Sequence, residues 1–300
     1  MYPHDCYVLT RARRRTALAA ASGYLRCPVC VGPLRLYDDR LTCCRGHSFD
    51  VARPGYVNLT AGRPGPGTGD TAEMVAARER FLGRGHYEPI AAAVRELAAR
   101  HQPDAPGLVL DLAGGPGYYA AGVLDDLPDR PGVCLDLSVP ALRRAARTHP
   151  RLAAVGADVW QRLPLADRSA ALMLSIFGPR NAAETGRVLT PGGVLIIATP
   201  GPGHLREIRQ PLGMIGIDQH KPRRLARGYR GYARCDVTRV NRTLTLDRED
   251  LVALVSMGPT ARHVKRQDLA ERVGRLPSAT IVTADVVIQV FSQTGPLTPR

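Results

Sequence analysis

Apolar positions in this chain change period from segment to segment, and each change marks an element. TAEMVAARERFLGRG (71–85) has helical spacing, opened by Thr-x-Glu and stopped by Gly. YEPIAAAVRELAARH (87–101) predicts a second amphipathic helix. LVLDLA (108–113) is a continuous apolar run of strand length. Strands and helices alternate after it: GVCLDLS (132–138), PALRRAARTHP (140–150), AAVGAD (153–158), AALMLSIF (170–177), AAETGRVL (182–189) and GVLIIATP (193–200). Strands apolar on both faces, separated by helices at this spacing, predict an α/β, doubly wound, mostly parallel Rossmann-like sheet covered by helices. DREDLVALVSM (247–257) adds a helix, and the β-rich run TIVTADVVIQVFS (280–292) supplies the last strands.

Ahead of this series the pattern differs. Residues 1–22 read as a basic arm without clear periodicity. Residues 23–60 hold a Cys/His cluster and end in a strand-like tail, FDVARPGYVNLT. AGRPGPGTGD (61–70) is too rich in Gly and Pro for a helix or a central strand, so 61–84 reads as a linker and connecting helix before a large domain over 85–300.

With 300 residues, 44% of them hydrophobic, the chain can bury a sizeable core. Charge narrows the partners: Lys+Arg is 41 against 27 Asp+Glu, a formal net charge of +14. Such an excess favours a polyanion, because cationic side chains displace the counterions condensed on phosphates. Nucleic acid is preferred over membrane, since no apolar run approaches the roughly 20 residues of a spanning helix. RARRR (11–15) followed by TALAAASGY imitates a signal peptide, but its apolar part is too short. Seven cysteines, two of them adjacent, do not suit a disulfide framework, and a cytoplasmic location is expected.

CPVCVGPLRLYDDRLTCCRGH (27–47) offers Cys27-x-x-Cys30, a gap, then Cys43-x-x-x-His47. Two short-spaced pairs let two turns grip one Zn²⁺, and four protein ligands leave no place for a reactive water, so the site reads as structural. Cys44 competes with Cys43 for the third position.

VLDLAGGPGYY (109–119) places a glycine-rich turn between the first strand of the series and a helix, where backbone approaches a nucleotide closely. Three acids specify the nucleotide. Asp111 lies inside the strand, within reach of a methionine amino group; Asp136 ends the next strand, placed for ribose hydroxyls; Asp158 follows the third, near an adenine amino group. A ligand with ammonium, ribose and adenine needs this set, whereas a pyrophosphate does not want Asp111. Ala113, not a glycine, precedes the two glycines that open the turn.

Together these motifs resemble the zinc-containing 23S rRNA guanine-N1 methyltransferases, a family that includes macrolide-resistance enzymes of the tylosin type. The likeness runs from about Leu25 to about His263 and also rests on SFDVARPGYVNL (48–59), GDTAEMVAARERFL (69–82), GHYEP (85–89), LTPGG (189–193) and ATPGPGHL (198–205). It implies a class I methyltransferase domain using S-adenosylmethionine, a 23S rRNA hairpin as partner, and a homodimer. Carried over residue by residue, zinc falls to Cys27, Cys30, Cys43 and His47. Cofactor contacts fall to Tyr87, to Gly114, Gly115, Pro116, Gly117 and Tyr118, and to His204. By the same resemblance the zinc clip grips the RNA, with His47, Arg45 and Arg53 on or near that face.

Guanine N1 carries a proton that it must lose, at a cost of about 3–4 kcal/mol near neutral pH. FGPRN (177–181), after the fourth strand, occupies the place where such enzymes meet the target base. Asn181 is expected to hold the base edge and Arg180 to stabilise O6; alternatively Asn181 caps the next helix and Arg180 is solvated. His204 is a second candidate to accept the proton. KPRRLARGYRGYARCDVTRVNR (221–242), basic with Tyr229 and Tyr232 interleaved, suits splayed RNA bases. Two rival readings remain at this level: a small-molecule methyltransferase of a biosynthetic pathway, and a non-enzymatic zinc-ribbon regulator.

Overall fold

A computed structural model describes residues 11–60, 69–216, 228–229 and 231–293. The first ten residues of the basic arm, most of the Gly/Pro-rich stretch 61–70 and the 221–227 part of the basic segment lie outside the described residues.

The first element among the described residues is α1 (Arg11–Ser22), where a basic arm without periodicity was expected. Ala17, Leu18 and Ala21 are its buried stripe, and small alanines made that stripe hard to see. A three-stranded antiparallel sheet follows: β1 (Leu34–Tyr37), β2 (Arg40–Cys43) and β3 (Ser48–Asp50). β4 (Val57–Asn58) leaves this small sheet and pairs in parallel with a strand of the main one.

The main sheet is built as the alternation predicts. After α2 (Ala72–Gly83) and α3 (Glu88–His101) come β5 (Leu108–Leu112), α4 (Tyr118–Asp126), β6 (Gly132–Asp136), α5 (Val139–Thr148) and β7 (Leu152–Gly156). Then follow β8 (Ala170–Ile176), α6 (Ala182–Val188), β9 (Leu189–Pro200), α7 (Arg206–Arg209), β10 (Tyr232–Leu246), α8 (Arg248–Ser256), α9 (Arg266–Gly274) and β11 (Thr280–Gln293). The strand order is β10-β11-β9-β8-β5-β6-β7-β4. β4 to β9 run parallel, and β11 is antiparallel to both β9 and β10. The order reverses at β5, so the crevice for a ligand opens beyond the carboxyl ends of β5 and β8.

Side-chain alternation sorts the strands between two cores. Leu172, Leu174, Ile196 and Ala198 face one side, packed with α3, α4 and α8 residues such as Val94, Val123 and Leu254. Leu110, Leu112, Leu195 and Ile197 face the other. That second face is covered largely by the N-terminal module: Leu18 of α1 with Leu25, Leu34, Leu41, Val57 and Leu59. A sheet expected to be covered by helices is therefore partly covered by the Cys/His module itself. Backbone bonds fasten the module's start as well, Arg26 N–H to Pro164 O and Ala166 N–H to Tyr24 O.

α2 is tied to α8 through Arg84. Its guanidinium donates to Asp247 and Asp250 at 2.8 Å each and to Glu249 at 2.9 Å. Asp247 and Asp250 form the capping box of α8, so Arg84 offsets carboxylates gathered at one helix start. Arg84→Ala is expected to lower the urea midpoint of unfolding, with Arg84→Lys intermediate.

Candidate cofactor cavity and metal centre

Cys27, Cys30, Cys43 and His47 come together as expected, with their ligand atoms within 4.8 Å of one another. Cys30 Sγ to Cys43 Sγ is 3.6 Å, Cys27 Sγ to His47 Nδ1 3.6 Å and Cys43 Sγ to His47 Nδ1 3.3 Å. A tetrahedron with Zn–S near 2.3 Å and Zn–N near 2.0 Å has edges of about 3.5–3.8 Å, so the cage fits that ion. Two tight turns make it. Val31 N–H donates to Cys27 O in the first, and Gly46 N–H to Cys43 O in the second, where Gly46 takes a φ of +80°. Cys44 is exposed and outside the cluster, in which Cys43 takes the third position.

A cavity of about 640 Å³ opens at the carboxyl ends of β5 and β8. Its wall includes the predicted residues Tyr87, Asp111, Gly114, Gly115, Pro116 and Tyr118, together with Asp136, Asp158 and His204. Gly117 lies just behind the wall as the N-cap of α4. Its φ of +80° and the Leu152 methyl 2.7 Å from any added Cβ both demand glycine.

Asp111 is the most informative of these. It is 1% exposed, and its Oδ2 has no hydrogen-bond partner. Burial, with the negative charge of Asp136 adding to it, pushes the carboxyl up to about 8. A Cβ on Gly114 would sit 2.5 Å from that carboxylate, so the glycine keeps the approach open. Asp136 also titrates high, chiefly from burial, although Gly115 N–H donates to its Oδ2 at 2.9 Å and Ser138 N–H to its Oδ1 at 2.7 Å. Asp158 Oδ1 accepts from Trp160 N–H at 2.9 Å. An orphaned buried carboxyl beside two strand-end acids suits a ligand that brings its own positive charge.

Residues not foreseen also form this wall. Arg78 of α2 pairs with Asp70 at 2.5 Å and donates to Met257 O at 2.7 Å, clasping α2 to the end of α8 across the cavity. Arg262 reaches Asp70 at 3.8 Å. The segment expected to be a connecting helix thus contributes to the site. Three non-glycine residues with positive φ, Ala113 (+52°), Phe177 (+57°) and Leu205 (+54°), line the cavity. Backbone strain of this kind often clusters at ligand sites.

The expected catalytic pair falls elsewhere. Asn181 is the N-cap of α6 and accepts from Glu184 N–H, and neither Asn181 nor Arg180 belongs to the cavity wall. Arg180 lies near Tyr229, whose hydroxyl its charge influences. The reading of Tyr229 and Tyr232 as base-stacking residues is corrected: both are buried, edge to face with each other, and Tyr229 stacks on Phe291. Their apolar rings fill the core under β11 rather than meeting solvent.

A zinc-ribbon family described as "RlmA, N-terminal" matches residues 25–60. The 23S rRNA (guanine(748)-N(1))-methyltransferase of Streptomyces fradiae is 44% identical over 269 residues, covering 89% of this chain and 96% of that protein. The chain belongs to the 23S rRNA (guanine-N1)-methyltransferase family. A Micromonospora griseorubida relative named for the same reaction is also 44% identical, over 281 residues covering 88% and 95% of the two chains. One from Bacillus subtilis is 31% identical over 279 residues, with the same coverage. In this methyltransferase family member the ribbon is bonded into the main sheet, and the cavity wall is drawn from both sequence halves. No helix among the described residues is long and apolar enough to cross a membrane.

Proposed function

We propose that this protein transfers a methyl group from S-adenosylmethionine to N1 of a guanine in a hairpin of 23S rRNA. The observation that carries the reading is Asp111, a buried carboxyl without a partner on Oδ2 beneath a glycine turn, in a member of an rRNA guanine-N1 methyltransferase family. S-adenosylmethionine, when bound, supplies a methyl group made electrophilic by its sulfonium charge.

The chain's own groups hold and orient. Asp111 takes the α-ammonium, Asp136 the ribose hydroxyls, Asp158 the adenine amino group, and Gly114 and Gly115 let backbone approach them. Tyr87 and His204, 3.3 Å apart from Oη to Nε2, close the opposite wall and help exclude water. Alignment of nucleophile and methyl group in such a pocket supplies much of the rate. Cys27, Cys30, Cys43 and His47 hold Zn²⁺ in a structural role, since all four positions are filled by protein. The ribbon presents exposed Arg45 and Arg53 to RNA, with Tyr37, 56% exposed, able to stack on a splayed base.

A methyl on N1 blocks Watson–Crick pairing. Primer extension on 23S rRNA treated with the protein and donor is expected to stop at one new guanine, with none when the donor is omitted. Full-length extension in both cases, or transfer only to small metabolites, refutes the proposal.

A further inference from the structure

The reaction proposed above needs guanine N1 without its proton, yet the cavity offers no free base near the ends of β8 and β9 among the described residues. Tyr87 is buried, which drives its hydroxyl well above its ordinary value. His204 is held down to about 4 by burial, with the charge of Arg209 adding to that effect. Its Nδ1 accepts the Asp285 N–H at 3.2 Å, which leaves the imidazole proton on Nε2, facing Tyr87. Histidine and tyrosine here are donors.

One cation on this wall is differently placed from the others. Arg78 and Arg262 are engaged by Asp70, whereas Arg209, from the last turn of α7, donates among the described residues to one backbone carbonyl, Pro202 O, at 3.2 Å. Arg209 lines the cavity with Phe177 and His204, whose rings lie parallel within 27° at 6.2 Å. Phe177 holds a left-handed backbone, φ +57°, at the end of β8, which turns its ring to the cavity wall.

We propose that Arg209 is a catalytic residue that both selects guanine and promotes its ionisation, by placing its guanidinium fork on the O6/N7 edge of a base stacked against Phe177. A bidentate Arg contact to O6 and N7 is the commonest guanine-specific contact, and it leaves N1 free to face the donor. Adenine presents an amino group at the position of O6 and is rejected. Positive charge beside O6 stabilises the anion, as donors aimed at developing charge do in other sites. The N1 proton leaves to solvent, and the N1 lone pair forms the new C–N bond as the C–S bond breaks. The bonding pair returns to sulfur, so anion and sulfonium become two neutral products.

The inference rests on the proposed methyl transfer and is tested by single-turnover rates on a 23S rRNA hairpin transcript from about pH 6 to 10. Wild type, Arg209→Gln and Arg209→Lys are compared. For Arg209→Gln the acidic limb is expected to move up by about one pH unit or more, a loss of tenfold or more at pH 7 that narrows above pH 9. Arg209→Lys, which keeps the charge without the fork, should lie between, and all three should bind S-adenosylmethionine alike by calorimetry. A loss of equal factor at every pH, or a raised KM for RNA with an unmoved profile, overturns the proposal and assigns Arg209 to structure or to a phosphate. Should Arg209→Gln fail to bind cofactor, Arg209→Lys decides by the same shift. A wild-type protein that yields no N1-methylguanine at any pH refutes the methyl-transfer reading itself, a distinct result.

Discussion

Cys43→Ser is expected to release the metal and lower the melting temperature of the whole protein by more than about 10 °C, in one transition. The reason lies in where the ribbon packs. Leu25, Leu34, Leu41 and the ligands Cys27 and Cys43 share a core with Leu110, Val133, Val155 and Leu195 of the main sheet. Losing the metal frees the two turns that hold these leucines, each worth about 1.5–3 kcal/mol when fully buried. Apparent zinc binding in small finger peptides is about 10–16 kcal/mol, comparable to the whole stability of a domain. β4 and β7 should loosen together, since Asn58 pairs with Gly156 two residues before Asp158, and cofactor binding should weaken too. Cys44→Ser, outside the cage, should leave metal content and melting unchanged. Calorimetric melting with metal analysis checks this. Two separate transitions, with cofactor affinity unaffected by metal loss, would sink it.

The second large effect is expected at Asp111. Asp111→Asn should weaken S-adenosylmethionine binding on the order of 10²–10³-fold, because the ammonium then enters a buried site without its counter-charge. The pH dependence has a definite sign. In the free protein the carboxyl titrates at about 8, raised by burial and by Asp136, while the unfolded chain's titrates near an ordinary carboxylate value. Its contribution to folding is therefore fully present below about pH 4 and is lost as pH rises through 8. A cationic ligand requires the ionised carboxylate, so binding releases a proton, and affinity should climb up to about tenfold per unit between pH 6 and 8. Asp111→Asn should lose both the proton release and the climb, and its ligand-free form should not share the stability lost toward pH 8. Calorimetry in buffers of different ionisation enthalpy measures the release. An unchanged release in the variant removes Asp111 from the ammonium site.

Much of this site was legible because its chemistry is local in sequence. The zinc ligands sit in two short turns, and Asp111 with Gly114 spans one strand end, so spacing alone assembles them. What escaped depends on long-range packing. Arg209 reaches the cavity through a four-residue helix with no periodic signature, and Arg78 through the clasp of α2 on Met257. Arg180 was a reasonable cation by position, but the backbone after Phe177 carries it toward Tyr229. The basic segment 221–242 carries no strand prediction, although Val237, Thr238 and Val240 within it suit the strand β10 that its second half forms. Its arginines masked that preference because an edge strand faces solvent. Arg239 also has an inward task, donating two hydrogen bonds to the Asp285 carboxylate at 2.7 and 2.8 Å, and Asp285 in turn orients His204 through its backbone N–H.

The two residues of β4 bear on target choice. Paired to the outer edge of the parallel sheet, they tie the Cys/His corner to the sheet that carries the cavity. On the function proposed above, the molecule would work as a gauge: an RNA stem seated at the corner would deliver whichever nucleotide lies one fixed span away. Selection among guanines would then be a matter of length along the folded RNA as much as of base identity.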